Sequence, residues 1–489
     1  MKTEIFSMKS IRLLLIILFV IQGMIFAGMY PLWEGWDEPA HFAYVQHIVE
    51  KKTIPKLTDE ISNEVAYTLD KVPLNPLLVP PGKSFQDFWN NFTVNELLEN
   101  KNKLSELDNS ERFNTSPWIN WEAKQPPFAY LTQSPIYLLF YNYSILERAF
   151  ALRAFSVIVT AIGIVFAYKT ISLLFDDRFI RVGSLMFIVF NPMFTTNITR
   201  VNNEFMTILL FSAFLYLMVR YLKEKTNTLH VVLIGLVLGL GLLTKQTFLI
   251  AIVLVPFFIF LKHLQNENKQ KPVKLLKSLK NLGIIFGITI PMVSWWYYDV
   301  IASGNFSGIT ELRALTVGEY VQGALAISWD RFSEFFFKSF WGLYGWSFYF
   351  PPFPYNELII LFTGISIAGL VYGIIKQSKK HGPHLFRFWK YQSILLISFS
   401  ILLMIIAQII ISIQSYFGLD YKAGLFLGWY LFMTITPTSM LVLLGFRTLI
   451  INSKLKRFQN ESLFVALVIL VIFNTTTLYW LIPKYYVGV

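Results

Sequence analysis

The sequence predicts an all-α polytopic membrane protein of about eleven transmembrane helices, with a small helical subdomain outside the bilayer. Three observations predict it. Of 489 residues, 55% are hydrophobic and only 15% charged, too few ionisable groups to coat the soluble domains that a chain this long would form. Long apolar runs recur along the chain. Lysine and arginine collect in alternate connections between those runs, the pattern of topology signals beside anionic headgroups.

The same composition excludes several function classes. A net charge of +12 invites a nucleic-acid reading, but no compact basic domain or recognition motif accompanies it. With no cysteine in the chain, thiolate catalysis, disulfides and Cys-ligated zinc or iron–sulfur centres are ruled out. The 46 Phe, 24 Tyr and 13 Trp suit bilayer interfaces and equally suit a groove for sugar or lipid.

Taken in order, residues 13–30 are apolar and follow Lys2, Lys9 and Arg12, an outline shared with secretory signals. No A-x-A-like cleavage site follows and the chain runs into Trp33-Glu34-Gly35-Trp36, so an uncleaved first transmembrane helix with a cytoplasmic N-terminus is expected (1–30). Residues 31–147 are too polar for membrane and too long for a connector, and 38–51 and 93–107 are amphipathic. Apolar spans follow at 153–175, 181–199, 204–221, 229–243, 247–262 and 281–298, within a segment 148–298. In the pair at 229–262, Gly235, Gly239 and Gly241 permit close packing, and Thr244-Lys245-Gln246 reads as the break of a broken or re-entrant hairpin. A second large loop, 299–356, precedes spans at 357–375, 392–413, 424–446 and 463–482 in the final segment 357–489. Alternating from an inside N-terminus puts Arg178/Arg181, Arg220/Lys223/Lys225, Lys262–Lys280, Lys376–Lys390 and Arg447–Arg457 in the cytoplasm and both large loops outside.

Chemistry-bearing residues concentrate where the first loop leaves the membrane. In Asp37-Glu38-Pro39-Ala40-His41-Phe42, Pro39 suits a first helical turn and Asp37 an N-cap. The functional alternative is an acidic pair at the bilayer interface, placed to take a proton from an attacking hydroxyl or to bind a cation. His41, one turn after Asp37, shares its face, so a divalent metal held by Asp37, His41 and Glu204 stays open. Lys124-Gln125-Pro126-Pro127 forbids a helix and predicts an extended, stiff approach to Phe128, with Lys124 or Gln125 available to a phosphate or sugar hydroxyl. Asn191-Pro192 interrupts the third span, and Arg200 and Glu204 lie in a short turn on the same face as Asp37. Lys245 is costly at membrane depth unless it faces water, protein or a headgroup; lipid phosphate and snorkelling to the interface are its two readings. Phe340-Trp341-Gly342 with Gly345-Trp346, leading into Pro351-Pro352, reads as an interfacial wedge or as a stacking platform for a sugar or isoprenoid.

In this order, Asp37-Glu38-Pro39-Ala40-His41-Phe42, Gln125-Pro126-Pro127, Asn191-Pro192-Met193, Asn203-Glu204, Thr244-Lys245 and Phe340-Trp341-Gly342 resemble the membrane glycosyltransferases of the GT-C fold, and within them the bacterial membrane proteins known as DUF2142. The resemblance spans nearly the whole chain. It implies a polyprenyl-phosphate sugar donor used at the outer face of a bacterial cell membrane, and a glycan, lipid or protein acceptor of the cell envelope. It further implies Asp37 as catalytic base with Glu38 its acidic neighbour, Glu204 as a second acidic position and Lys245 on the donor phosphate. Two departures stand out: Glu204 occupies a position where Asp is usual, and Gly428-Trp429-Tyr430 lacks the Arg of a late Gly-Arg-Tyr motif. The competing readings are a lipid or polysaccharide transporter or flippase, and an envelope polysaccharide polymerase or ligase. A transporter is disfavoured by the lack of two related halves and by acidic residues that sit in loops.

Overall fold

The computed structural model describes residues 7–35, 37–69, 71, 93–224, 227–265, 271–302, 315–344, 354–382, 387–418 and 427–486. Trp36, Lys225, Gly345-Trp346 and Pro351-Pro352, singled out above, lie outside the described residues.

The chain is a helical, multi-pass membrane protein. Helix α1 (Met8–Met29) enters the bundle, its first turn capped by the Ser7 hydroxyl accepting from the Ser10 N–H. Beyond it come α2 (Glu38–Lys51), β1 (Glu60–Ser62), α3 (Asn63–Leu69), α4 (Val94–Ser105), β2 (Thr115–Ile119) and α5 (Phe128–Leu139). Both amphipathic stretches are therefore helices, α2 and α4. The first-loop subdomain is nevertheless not purely helical, because β1 and β2 pair antiparallel with Glu60 opposite Ile119 and a bulge before Ser62. It has its own core of Trp33, Phe42, Tyr44, Val65, Tyr130 and Tyr137. Under that core the fully buried Arg148 pairs with Glu64, whose other oxygen accepts from Gln46 at 2.6 Å. Removing either charge from such a network strands the other in a low-dielectric interior.

The membrane part comprises α6 (Ile145–Leu174), α7 (Arg178–Val189), α8 (Pro192–Ile198), α9 (Glu204–Lys223), α10 (Thr228–Leu242), α11 (Ile250–Leu261), α12 (Lys271–Ala302), α13 (Val317–Ala326), α14 (Trp329–Trp341), α15 (Tyr355–His381), α16 (Trp389–Gly418), α17 (Ile435–Ile451) and α18 (Gln459–Tyr486). Among the described residues 8 helices are long and apolar enough to cross a bilayer, or up to 9 if the bent pair α7–α8 counts as one span. The remaining two of the expected spans are α10, of 15 residues, and α11, which together make the broken hairpin read at Lys245. Each is shorter than the roughly 20 residues a full crossing needs. The 52° bend between α7 and α8 falls where Asn191 caps the Phe194 N–H at 2.9 Å and Pro192 begins the new helix. Helices α15 and α17 cross through glycines: a Cβ on Gly369 would lie 1.9 Å from the Gly445 carbonyl oxygen, so only glycine admits this approach.

Candidate functional site

Four chain segments converge above the bundle: the start of α2, the turn 121–127, the turn 199–204 before α9, and the break between α10 and α11. Their union is backbone-deep. The Phe128 N–H donates to the Leu243 carbonyl at 2.8 Å, and Asn203 Nδ2 donates to Gln125 Oε1 at 3.2 Å and to the Thr244 carbonyl at 3.4 Å. Tyr44 Oη donates to the Gln125 carbonyl at 3.1 Å. The approach through Pro126-Pro127 is a turn, with Pro127 at φ −84°, ψ −13° acting as N-cap of α5, and not the extended strand expected. Proline's fixed φ suits a helix start as well as an extended segment.

Asp37 is the N-cap residue of α2, as expected, but its side chain does not do the capping. Its backbone is left-handed (φ 56°, ψ 10°), its side chain makes no capping bond, and α2 is started by its carbonyl, which accepts from the N–H groups of Ala40 and His41 at 3.1 Å each. The carboxylate turns away, and Oδ1 accepts from Trp121 Nε1 at 2.8 Å. A non-glycine residue in this region carries roughly 1 kcal/mol of strain, which aspartate tolerates better than most. Such strain persists where surrounding structure enforces it.

Glu38 is a framework residue. At zero exposure it accepts from Arg153 Nε at 2.7 Å and from the second guanidinium nitrogen at 2.6 Å, and the Val201 N–H adds a third bond at 2.9 Å. The same guanidinium reaches the carbonyls of Tyr30 (2.8 Å) and Pro31 (3.0 Å), welding the end of α1 to the start of α2. Both Glu38 oxygens are thus engaged by Arg153 and the Val201 N–H, next to Asp37 in the chain.

Glu122, which no sequence motif flagged, lies beside Asp37. It is 5% exposed, and its Oε2 has no hydrogen-bond partner among the described residues. Burial, reinforced by the Asp37 carboxylate, pushes its carboxyl up to about 7, against the opposing pull of Lys124, Lys245 and Gln125. His41, buried beside it, is held well below the usual imidazole range by burial first and then by Lys245 and Lys124. The 3.9 Å contact between His41 Nδ1 and Glu122 Oε2 thus joins two groups that both favour neutrality, and His41 Nδ1 shares a closer, 2.8 Å hydrogen bond with Tyr130 Oη. The only sequence signal for Glu122 was a carboxylate two residues before Lys124.

Lys245 pairs with Glu204 and lies 5.4 Å from the Tyr430 ring centroid. Lys124 is half-buried and forms no ion pair with a described residue, although its charge acts on both Glu122 and His41. Gln125 braces the turn. Arg200 is 3% exposed and drapes its stem over Gly35, where a Cβ would sit 2.6 Å from Arg200 Cδ; it belongs to the packed wall under Asp37. Trp341 is 3% exposed, packs edge-on against Phe187 at 5.3 Å and belongs to the hydrophobic core, apart from the Asp37 cluster. Asp37, His41 and Glu204 do not form a ligand set, since their partners are Trp121, Tyr130 and Lys245; among the described residues no group of three or more His, Asp or Glu is arranged to hold a metal. What the site offers is one fixed, half-buried carboxylate, two cations and a reserve of buried neutral acid.

Comparison with known proteins gives one family match: residues 124–296, less than half of the chain, match the family described as dolichyl-phosphate-mannose-protein mannosyltransferase. No curated protein matches the sequence. Among solved structures, an oligosaccharyltransferase from Archaeoglobus fulgidus tethered with an acceptor peptide is 12% identical, with a TM-score of 0.49 over 97% of this chain and 55% of that one. The same enzyme with an inhibitory peptide and a dolichol-phosphate gives 10% identity, a TM-score of 0.47 and coverage of 96% and 56%. ArnT from Cupriavidus metallidurans in the apo state gives 11%, 0.33, 89% and 76%. The chain spans about half the length of the archaeal enzyme.

Proposed function

We propose that this protein is a GT-C-type glycosyltransferase that moves a sugar from a polyprenyl-phosphate donor to a glycan, lipid or protein acceptor of the cell envelope. Asp37 is the general base. The observation that carries this reading is the Asp37 carboxylate, which makes no capping bond, is fixed by Trp121 and lies beside Glu122, on which Lys124 and Lys245 also act. The match to a mannosyltransferase family over residues 124–296, which include Lys124, Gln125, Glu204 and Lys245, supports it, as does the motif resemblance.

The acceptor hydroxyl attacks the anomeric carbon of the donor, and Asp37 takes its proton as the new glycosidic bond forms. The bond from that carbon to the phosphate oxygen breaks, and its electron pair leaves with the polyprenyl phosphate. The phosphate gains a negative charge in this step, so fixed cations act more strongly on the transition state than on the donor. Lys124 supplies that charge most directly. Lys245 reaches it by sharing its ammonium with Glu204. The site faces the extracytoplasmic side, with the N-terminus of α1 in the cytoplasm.

Purified protein incubated with radiolabelled polyprenyl-phosphate sugar tests this. Asp37→Asn is expected to lose transfer by at least about 100-fold, the scale of a lost general base, with membrane insertion and thermal melting unchanged. Full transfer by that variant removes Asp37 from the chemistry. Movement of intact donor across a bilayer with no label reaching an acceptor supports a flippase instead.

A further inference from the structure

A cavity of about 860 Å³ lies far from Asp37. It opens where α6 ends and α7 begins, between α15, α16 and α17. Helix α6 measures the separation: Arg153, which holds Glu38, and Leu174, which lines the cavity, are about 32 Å apart along its axis at 1.5 Å per residue. That is one bilayer thickness, so the cavity belongs to the opposite membrane face.

Its two ends differ in chemistry. The floor is aliphatic, with Leu370, Leu395 and Leu444, and Ile374 in its wall is 67% exposed, so the cavity opens towards the lipid-facing surface. The rim carries Arg447, Lys376 and Lys390. Arg447 gives one guanidinium nitrogen to Asp177 at 2.5 Å, while its buried Nε has no hydrogen-bond partner among the described residues. Lys376 donates to the Asn452 amide oxygen at 2.7 Å, and Lys390 lies 3.7 Å from the 91% exposed Asp176 carboxylate. A buried guanidinium N–H left unpaired is costly, and an anionic oxygen at the rim would satisfy it.

We propose that this cavity is a binding site for a phospholipid of the leaflet opposite the candidate catalytic site, with its acyl chains on the aliphatic floor and its phosphodiester on Arg447 Nε and Lys376. Bilayer lipid supplies both halves of the chemistry at this depth. A free anion uses only the rim, and an uncharged lipid only the floor.

The test is native mass spectrometry of delipidated full-length protein titrated with phosphatidylglycerol. One tightly held lipid is expected. Lys376→Gln and Arg447→Gln each weaken it about tenfold, the scale of one lost charge-assisted hydrogen bond. Leu444→Trp, which fills the floor without touching a charge, weakens it as well. Thermal melting identifies folded variants, and if Arg447→Gln does not fold, the other two decide. Diacylglycerol with the same chains binds at least about tenfold more weakly. Equal binding of diacylglycerol, unchanged phosphatidylglycerol binding in the folded variants, or binding of inorganic phosphate alone each overturns the proposal.

Discussion

Asp37 shows how far a single residue is legible in the sequence. Its position before Pro39, at the mouth of the first loop, marked it from the sequence, but whether its side chain capped α2 or pointed into a site depended on φ, which sequence pattern does not encode. The indole that decides its direction comes from Trp121, 84 residues away in the chain. Trp121→Phe keeps the ring and removes the donor; transfer is expected to fall about ten- to hundredfold, the worth of one hydrogen bond to a charged group, with little change in melting temperature. An unchanged rate detaches Trp121 from the function of Asp37. Glu38 was legible as an acid and not as half of a buried pair, because Arg153 lies a whole loop away. Glu122 was not legible, since nothing local distinguishes it from a solvated loop carboxylate. Its folded carboxyl titrates near 7 against an ordinary 4.5. Between those values the native state holds the proton that the unfolded chain releases, so stability falls as pH rises through that window, by up to about 3 kcal/mol at about 1.4 kcal/mol per pKa unit. Melting curves from pH 4.5 to 8 are expected to decline more steeply for the wild type than for Glu122→Gln. Parallel curves show that Glu122 is not held neutral.

Among the elements, long apolar runs were read correctly because periodicity and length suffice for them, while the short pair α10–α11 needed tertiary contacts to interpret. The Leu243 carbonyl is not spent within α10 but accepts from Phe128, which anchors the hairpin tip to the site and explains how Lys245 is held against Glu204. The ribbon β1–β2 escaped prediction because strands this short carry almost no periodic signal. The Glu38–Arg153 pair is the element-scale joint between α1, α2 and α6. Arg153→Met strands a buried carboxylate and is expected to destabilise by about 3–5 kcal/mol, whereas Glu38→Gln with Arg153→Met is expected to recover a large part of that loss. Thermal melting of the single and double variants reads the coupling; strict additivity contradicts a direct pair.

At the scale of the whole molecule, the proposed reading puts the acid cluster and the basic rim of the cavity on opposite membrane faces. Charge bias in the connecting loops leads to the same expectation, and α6, with 30 residues, is long enough for a full crossing at about 1.5 Å per residue. Because the chain has no cysteine, single cysteines introduced at exposed positions report sidedness without background. Lys101→Cys in α4 and Lys379→Cys at the end of α15 are exposed sites on the two faces. In intact cells a membrane-impermeant maleimide is expected to label the first and spare the second, and permeabilisation is expected to make both reactive. The reverse pattern would place the acid cluster in the cytoplasm and remove the extracytoplasmic donor from the proposed reaction. Labelling of both in intact cells would break the placement of the two sites on opposite faces, and with it the assignment of the cavity lipid to the opposite leaflet.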